Sequence, residues 1–521
     1  MTSKTRINHE FHAASWHEPV IFDLSSPGER GILIPKTEGK ILEAVGDVIG
    51  TLPESVLRKE RPNLPEMSQP HVVRHYLRLS QMTLGNDLNI DLGQGTCTMK
   101  YNPKIDEELA RSPKVSELHP LQDESTVQGM LEIIYRSSDL FRAISGMDAF
   151  CFHPSGGTGA IFTNACLIRA YHEARGEAEQ RDEIITTIFS HPADAATPNV
   201  AGYKVITLYP DENGYPSVEA LKAVLSPRTA GLMMTNPEDT GIYNPHMKEF
   251  TDLVHSVGGL CAYDQANTNG ILGIARAREA GFDLCHFNLH KTFGAPHGGS
   301  GPACGVVGVI KELEPFLPTP AVTFDGNKYG LDYDRPQSIG KIKGFMGNAN
   351  ILLKSYAWIM NLGAEGIKKV GETATLNNNY LMTLISAIDG ISIPYSEGHH
   401  RVEQVRYSMQ RLYEETGISS DDLSRRIVDY GVTDFYTSHH PWLVPQPFTL
   451  EPSETYSKHD LDEYAAIFET ICQEARTEPE VIRTAPHNST ITQGDDSGMK
   501  DESKWAFTWR MYEKKVAKTC G

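Results

Sequence analysis

Residues 284–305 read LCHFNLHKTFGAPHGGSGPACG, an apolar run that ends at His290, Lys291 and Thr292 and continues into glycine-rich sequence. Such a run is typical of a buried β-strand, and parallel α/β sheets bind ligands in the crevice at the carboxyl ends of their strands. A lysine at a strand end, followed by flexible backbone, can reach into that crevice. An unprotonated lysine amine can form a Schiff base, and partial burial favours that form. The alternative is an ordinary solvated surface lysine.

Short apolar runs of the same kind lie on both sides of this stretch. From about residue 145 they are MDAFCF, EIITTIF, KVITLY, AGLMMT, GGLCAYD, FDLCHFN and GVVGVI. Amphipathic segments such as AIFTNACLIRAYHEA and HMKEFTDLVHSV lie between them. Strand, helix and strand at this spacing predict right-handed βαβ units, and so an α/β fold with a mostly parallel sheet flanked by helices.

Changes in composition predict three regions. Residues 1–120 are rich in proline, serine and charge, and we expect an N-terminal arm that wraps another surface. Residues 121–345 contain the strand runs and are expected to form the large domain that holds Lys291. Residues 346–521 begin with long helical patterns and continue as a mixed α/β stretch. They predict a smaller C-terminal domain with a flexible polar loop near 490–503.

A carboxylate follows one of the neighbouring strand runs. In GGLCAYDQANTNG, Asp264 ends an apolar run 27 residues before Lys291. Pyridoxal phosphate (PLP) requires a carboxylate beside its pyridine nitrogen, because the protonated ring withdraws electrons from a carbanion at the α-carbon of an amino acid. Asp264 and Lys291 at successive strand ends suit that chemistry. The alternative for Asp264 is a helix N-cap or a turn residue.

A glycine-rich helix start provides a candidate phosphate site. In HPSGGTGAIFTNACLIRAYHEA, Ser155, Gly156, Gly157 and Thr158 open a long helix directly after the run MDAFCF. Small residues let backbone N–H groups approach a phosphate, and the positive end of the helix dipole favours its charge. The pattern is neither a P-loop nor GxGxxG. The alternative is a tight turn without function.

Two further strand ends have side chains that suit a pyridine ring. The run EIITTIF is followed by Ser190 and His191, whose flat ring could stack on the cofactor. TNPEDTG places Asn236 at another strand end, as a donor to the ring hydroxyl. The alternatives are a core or loop histidine and a turn asparagine before proline.

Composition limits the remaining possibilities. The formal net charge of −19 argues against nucleic acid and membrane partners. No run approaches the roughly 18–20 apolar residues of a membrane span, and the N-terminus does not resemble a signal peptide, so we expect a cytoplasmic protein. The eight cysteines include no CxxC pair and are interpreted as buried small hydrophobic residues. We expect no metal site.

The chain resembles the glycine-decarboxylating P-protein of the glycine cleavage system, in the form of its separate C-terminal-half subunit. The likeness extends over nearly the whole chain and lies in the runs IFDLSSPGERG, RKERPNLPEMSQPHVVRHYLRLSQ, CTMKYNPKI, YDQAN, FNLHKTF, PHGGSGP, LDYDRPQSIG and LGAEGI. It implies PLP fold type I, with Lys291 as the Schiff-base lysine, Asp264 at the pyridinium nitrogen and His191 stacked on the ring. The candidate cofactor-binding set is Ser155, Gly156, Gly157, Thr158, His191, Asn236, Asp264, Ala266, His290 and Lys291.

The chain also departs from that family. Where the family reads N-S-G-A-Q-G-E, this chain has Pro154–Ala160, and where it reads H-G-T-N-P-A, this chain has His191–Ala196. Where it reads M-H-E-F, this chain has Val402–Val405. We interpret the chain as a diverged paralogue that keeps pyridoxal 5'-phosphate while the groups around the phosphate and substrate have changed.

Three functions remain open. The first is a PLP-dependent enzyme that acts through an external aldimine and a stabilised carbanion on an amino acid other than glycine, by decarboxylation, elimination or carbon–carbon bond formation. The alternative is a genuine glycine dehydrogenase (aminomethyl-transferring) subunit that works with a P-protein-like partner subunit and a lipoyl carrier protein. The last is a catalytically silent structural subunit, against which the presence of both Lys291 and Asp264 counts. Fold type I sites are built at subunit interfaces, so we also expect a homodimer.

Overall fold

A computed structural model describes most of the chain, and two compact units are distinguished in it. The first consists of Met1–His9 and Gly85–Ala485, and the second of Glu10–Leu84 and Pro486–Gly521. The described residues are 7, 10–60, 62–85, 87–92, 100–296, 301–395, 398–438, 440–490, 492–493, 505 and 508–519.

Helices and strands alternate along the first unit, and the second is helical. The strands are β1 Ala149–Cys151, β2 Glu183–Thr187, β3 Lys204–Leu208, β4 Thr229–Thr235, β5 Leu260–Gln265, β6 Leu284–Asn288, β7 Gly305–Val309, β8 Ala321–Phe324, β9 Tyr329–Asp332, β10 Val405–Ser408 and β11 Pro447–Leu450. The α-helices are α1 Gly39–Val45, α2 Gln69–Gln81, α3 Lys104–Arg111, α4 Pro113–Ser116, α5 Gln128–Ser145, α6 Gly157–Ala174, α7 Ala193–Val200, α8 Val218–Val224, α9 Met247–Ser256, α10 Ala349–Ser386, α11 Gln410–Thr416, α12 Ser420–Ile427, α13 Lys458–Thr477, α14 Pro479–Arg483 and α15 Trp509–Thr519. Short 3₁₀ helices lie at Ile21–Leu24, Ile49–Thr51, Glu54–Val56, Glu124–Thr126, Lys311–Phe316 and Val428–Tyr430.

The centre of the first unit is a sheet that, among the described residues, has seven strands in the order β1-β7-β6-β5-β4-β2-β3. Strands β3, β2, β4, β5 and β6 pair in parallel, and β7 is antiparallel to both of its neighbours. Every residue of β5, β6 and β7 is buried, as expected for strands that are covered on both faces. The mostly parallel sheet flanked by helices that the sequence predicts is confirmed.

The flanking helices bury apolar stripes against this sheet. In α9 the buried residues are Met247, Phe250, Thr251 and Val254, the i, i+3, i+4, i+7 spacing of one helical face. The larger α6 buries a broad face that includes Ile161, Leu167 and Ile168. Together with the strands these side chains form one continuous hydrophobic core.

The C-terminal part of the first unit has its own hydrophobic cluster. The long run α10 is interrupted at Gly363, whose φ of 62° is outside helical geometry. After it, β10 and β11 form an antiparallel pair. Phe448 of β11 stacks on Tyr407 at 4.9 Å and on Phe468 at 5.0 Å between ring centroids. Apart from Leu92, the buried residues of this cluster lie between Leu381 and Ile482, within the region for which the sequence predicts a smaller domain.

The second unit contains few buried side chains. In this unit, His75 Nδ1 lies 2.7 Å from Glu18 Oε1, and Arg78 Nη1 lies 3.1 Å from Glu18 Oε2. The domain boundaries expected at residues 120 and 345 stay a prediction. Of the loop expected near 490–503, most residues are outside the described part of the chain. None of the described helices has the length and apolar character that a membrane span requires.

Candidate cofactor site at the carboxyl edge of the sheet

The carboxyl ends of four neighbouring strands bring the predicted site residues together. In the strand register, Thr235 of β4 lies opposite Asp264 of β5, which lies opposite His286 of β6. Asn236 follows β4 directly. Parallel strands end at one edge of a sheet, so residues far apart in sequence become neighbours there.

Asp264 is buried between a histidine and a second aspartate. His286 Nε2 lies 3.1 Å from Asp264 Oδ1, and the amide of Ala266 donates to the same oxygen at 2.8 Å. Burial alone would raise the pKa of Asp264, but the charge of His286 and contact with it, then the charge of His191, outweigh burial and lower that pKa. Asp264 is therefore ionised at neutral pH.

The second aspartate is Asp194, in α7. Burial first, and then the negative charge of Asp264, raise the pKa of Asp194 well above its usual range. Two adjacent buried carboxyl groups do not both ionise easily, so one of them keeps its proton. Asp194 is the protonated member and donates to Asp264, which stabilises the charge on Asp264.

Lys291 lies in a turn that follows β6, and hydrogen bonds hold the backbone of this turn at Lys291 and at the next residue. It is 7% exposed, and its amide donates to the carbonyl of Asn288 at 3.0 Å. The next residue, Thr292, accepts from the Thr268 amide at 3.0 Å through Oγ1. Its carbonyl accepts from the buried Lys100 Nζ at 2.7 Å. These contacts fix the backbone from which the Lys291 side chain extends.

The predicted phosphate loop lies at the start of α6. Gly156 is the N-cap, and none of the described side chains caps this end of the helix. Ser155 and Thr158 are exposed. A Cβ placed on Gly157 would lie 2.5 Å from Asn288 Nδ2, and one on Gly156 would lie 4.0 Å from His290 Cε1. The helix start therefore adjoins the lysine turn.

The remaining predicted residues lie at the same edge. His191 is exposed, and its Nδ1 accepts from the Ala193 amide at 3.1 Å. Asn236 is buried and accepts from the Asn244 amide at 2.9 Å through Oδ1. Its Nδ2 has no hydrogen-bond partner among the described residues. Ala266 contributes the amide on Asp264, and His290 precedes Lys291.

Several groups at this edge were missed in the sequence. Asp194 and Glu403 lie in His191–Ala196 and Val402–Val405, two segments in which the chain differs from the family pattern. A single sequence does not tell which residue of such a segment faces a site. Lys100 lies in the motif CTMKYNPKI, of which residues 97–99 are outside the described part of the chain. No motif or pattern in the sequence around Glu451 indicates that it lies near the site.

The residues present fit pyridoxal phosphate. An ionised buried carboxylate at Asp264 suits a protonated ring nitrogen, and the unpartnered Nδ2 of Asn236 suits a ring oxygen. The uncapped N-terminus of the 18-residue helix α6 suits a phosphate, since its first N–H groups have no acceptor within the helix. Lys291, buried at the same edge, suits covalent attachment of the cofactor.

Two protein families match the chain. The family described as "Aminotransferase class-V" matches residues 153–407, which contain all of the candidate cofactor residues. The family described as "Glycine dehydrogenase, C-terminal domain" matches residues 370–491.

Relatives match over nearly the full length. A protein of Pyrococcus abyssi named "Probable glycine dehydrogenase (decarboxylating) subunit 2" is 43% identical, over 96% of this chain and 98% of its own. A protein of the same name from Staphylothermus marinus is 38% identical, over 98% of this chain and 99% of its own.

Solved structures of other proteins share the fold. The crystal structure of glycine decarboxylase (P-protein) of the glycine cleavage system, in inhibitor-bound form, superposes with a TM-score of 0.72 at 17% identity, over 84% of this chain and 100% of that one. A NifS-like protein superposes with a TM-score of 0.57 at 14% identity, over 74% and 99% of the two chains.

Proposed function

Because the chain belongs to the glycine dehydrogenase (decarboxylating) subunit 2 family, we propose that it removes the carboxyl group of glycine as one subunit of a larger enzyme. It is a pyridoxal-phosphate-dependent enzyme of fold type I, similar to glycine decarboxylase. The observation that supports glycine is the likeness to relatives of that name over nearly the whole length of both chains.

The sequence led us to expect a substrate other than glycine, and the comparisons favour the alternative that we kept beside it. That alternative is a genuine glycine dehydrogenase subunit. On this reading, the enzyme still acts on glycine although its sequence differs from the family pattern in three segments, Pro154–Ala160, His191–Ala196 and Val402–Val405. A silent structural subunit is not favoured either, since the chain is an enzyme with a complete set of candidate cofactor residues.

Each candidate residue has a task that its surroundings suit. Pyridoxal phosphate, when bound, withdraws the electron pair that remains at the α-carbon after carbon dioxide leaves. Asp264 would hold a proton at the ring nitrogen, because its carboxylate stays ionised. Asp194 would keep that carboxylate in position by donating to it. Lys291 would hold the cofactor covalently.

The remaining contacts would orient the cofactor. His191 would lie against the flat face of the ring, and Asn236 would donate to a ring oxygen. The first N–H groups of α6, with the hydroxyls of Ser155 and Thr158, would bind the phosphate. These groups follow different strands of one sheet, an arrangement that would hold a small substrate in one orientation.

We also propose three partners. The relatives are named as a subunit 2, which supports a separate partner subunit. A lipoyl carrier protein would accept the aminomethyl group, and a second copy of this chain would complete a homodimer. The amino-acid substrate itself follows from the family.

Exchange of the glycine carboxyl group with labelled bicarbonate tests the choice of substrate. With the partner subunit and a lipoylated carrier present, we expect label to enter glycine, and little label to enter serine or alanine. The Lys291→Ala variant should give no exchange. Efficient exchange with a bulkier amino acid and none with glycine would contradict the proposal and favour a repurposed enzyme.

A further inference from the structure

Two glutamates from the C-terminal part of the first unit are buried close to the lysine turn. Glu403 is 1% exposed and Glu451 is 2% exposed. Glu403 precedes β10 by two residues and Glu451 follows β11 directly. Val405 pairs with Leu450 in this antiparallel ladder, so both glutamates lie at the same end of the two-stranded sheet.

Both carboxyl groups meet the turn 267–270 that follows β5. Asn269 Nδ2 donates to Glu451 Oε1 at 2.9 Å. A Cβ placed on Gly270 would lie 2.8 Å from Glu403 Oε2, so this carboxyl group is packed directly against the turn. Oε2 of each glutamate has no hydrogen-bond partner in the part of the chain that the structure describes. Each glutamate of the pair thus has one buried carboxyl oxygen that could accept a further hydrogen bond or a proton.

The same turn connects the pair to the reactive lysine. Thr268 donates its amide to Thr292 Oγ1 at 3.0 Å, and Thr292 directly follows Lys291. The positive charge of Lys291 acts on both carboxyl groups and favours their ionised forms. The pair therefore packs on a turn that is hydrogen-bonded to the residue after Lys291, and it lies within the range of the Lys291 charge.

At a pH somewhat above 7, the pair holds one proton. Burial first, and then the negative charge of Glu451, raise the pKa of Glu403 well above its usual range. Burial raises the pKa of Glu451 to about 7, against the hydrogen bonds of Asn269 and Asn267 and the charges of Lys291 and Lys100. Above pH 7 the pair therefore has one proton on Glu403 and one negative charge on Glu451.

We propose that Glu403 and Glu451 act as one proton-carrying pair that serves the amino group of the incoming substrate and the amine of Lys291. The proposal rests on the proposed function only in requiring a substrate with an amino group. An amino acid arrives as its ammonium form, which has no lone pair on nitrogen. An N–H bond of the ammonium breaks, its electron pair stays on nitrogen, and the proton moves to a carboxylate oxygen of the pair.

The return step restores the pair. When Lys291 is released, the proton moves from the pair to its Nζ and a new N–H bond forms there. Nothing is oxidised or reduced, and the pair ends with the same number of protons with which it began. The pair would then set the pH range in which amine exchange is fast, since only its ionised form accepts a proton.

Rapid mixing of the holoenzyme with glycine, and separately with methylamine, tests this step through the absorbance of the bound cofactor. Methylamine has an amine and no carboxyl group, so the exchange can be followed even if glycine is not decarboxylated. We expect the exchange rate of the native protein to fall as the pH drops below about 7. In Glu451→Gln this fall should disappear, with a rate about 10²-fold lower at pH 8, since a positioned acid or base typically contributes at least that much. Glu403→Gln keeps the ionisable Glu451, so there the fall should move to a different pH.

Two further measurements separate a proton-carrying role from a structural one. Glu403→Asp and Glu451→Asp keep an ionisable group and should recover most of the rate with an acid limb. The infrared difference spectrum between the native holoenzyme and Glu403→Gln at pH 8 should show the loss of one protonated carboxyl band, while the bands of the protonated Asp194 and Glu238 cancel because both proteins have them. This band measures the protonation of the carboxyl group directly, so it can be recorded even for a variant without activity.

The matched control is Glu238→Gln. Glu238 is another buried glutamate, 2% exposed, and both of its carboxyl oxygens also have no partner among the described residues. Burial raises its pKa to about 8, but Lys291 is not among the charges that act on it. We expect Glu238→Gln to keep the pH profile of exchange. An unchanged profile in both glutamine variants of the pair, or an equal loss in Glu238→Gln, would overturn the proposal.

Discussion

Asp264 lies between two partners of opposite character. His286 stabilises its negative charge from the neighbouring strand, and Asp194, which keeps a proton, donates to it from α7. The sequence made the carboxylate at a strand end visible, because an apolar run ending in aspartate is a local pattern. It did not show the histidine or the second aspartate as its partners, since both contacts depend on strand register and on the position of a helix.

Replacing this carboxylate tests its role at the residue scale. In Asp264→Asn the charge that would hold a proton at the ring nitrogen is removed, so turnover should fall about 10²–10³-fold, the usual effect of losing one oriented electrostatic contact. Steady-state kinetics with saturating pyridoxal phosphate measure this. The control is Asp283→Asn, because Asp283 is also buried and lies 2.7 Å from a histidine, His255. Near-normal turnover in Asp264→Asn would place the ring partner elsewhere.

The strands of the sheet and helix α6, which follows β1, show what a local sequence pattern can predict. All seven runs that the sequence marks as strands are strands of one sheet, and three of them, β5, β6 and β7, are buried along their whole length. The glycine-rich run after β1 begins a helix, as expected. What local pattern did not give is the close packing of that helix start against Asn288, which comes from β6, far along the chain.

That packing predicts an effect of a single methyl group at the element scale. In Gly157→Ala the new Cβ would lie 2.5 Å from Asn288 Nδ2, so the helix start or the lysine turn must shift. Overpacking typically costs about 1–3 kcal/mol, and we expect pyridoxal phosphate to bind roughly 10- to 100-fold more weakly. Titration of the cofactor-free protein by absorbance measures this affinity.

A matched glycine serves as the control. Gly129 is also at the start of a long helix, α5, and a Cβ placed there meets no atom within 4 Å. Gly129→Ala should bind the cofactor as the native protein does. Equal affinity in Gly157→Ala and the native protein would show that the helix start does not form part of the phosphate site.

On the scale of the whole molecule, the site is assembled from distant parts of the first unit. Lys291 comes from the sheet, Lys100 from near the start of this unit, and Glu403 and Glu451 from its C-terminal part. The sequence alone predicts Lys291, because it lies at a strand end. The positions of Lys100, Glu403 and Glu451 become visible only in the folded structure. Glu10–Leu84 and Pro486–Gly521 form one unit although they are far apart in sequence, so this grouping could not be predicted from local patterns either.

The central claim is that Lys291 binds the cofactor at the carboxyl edge of this sheet. The most direct measurement is borohydride reduction of the full-length holoenzyme, followed by proteolysis and mass spectrometry of the peptides. The account predicts a pyridoxyl group on the peptide that contains FNLHKTF, at Lys291, and no labelled peptide from Lys291→Ala. A pyridoxyl group on any other lysine of the native protein, or a holoenzyme that reduction leaves unlabelled, would contradict it.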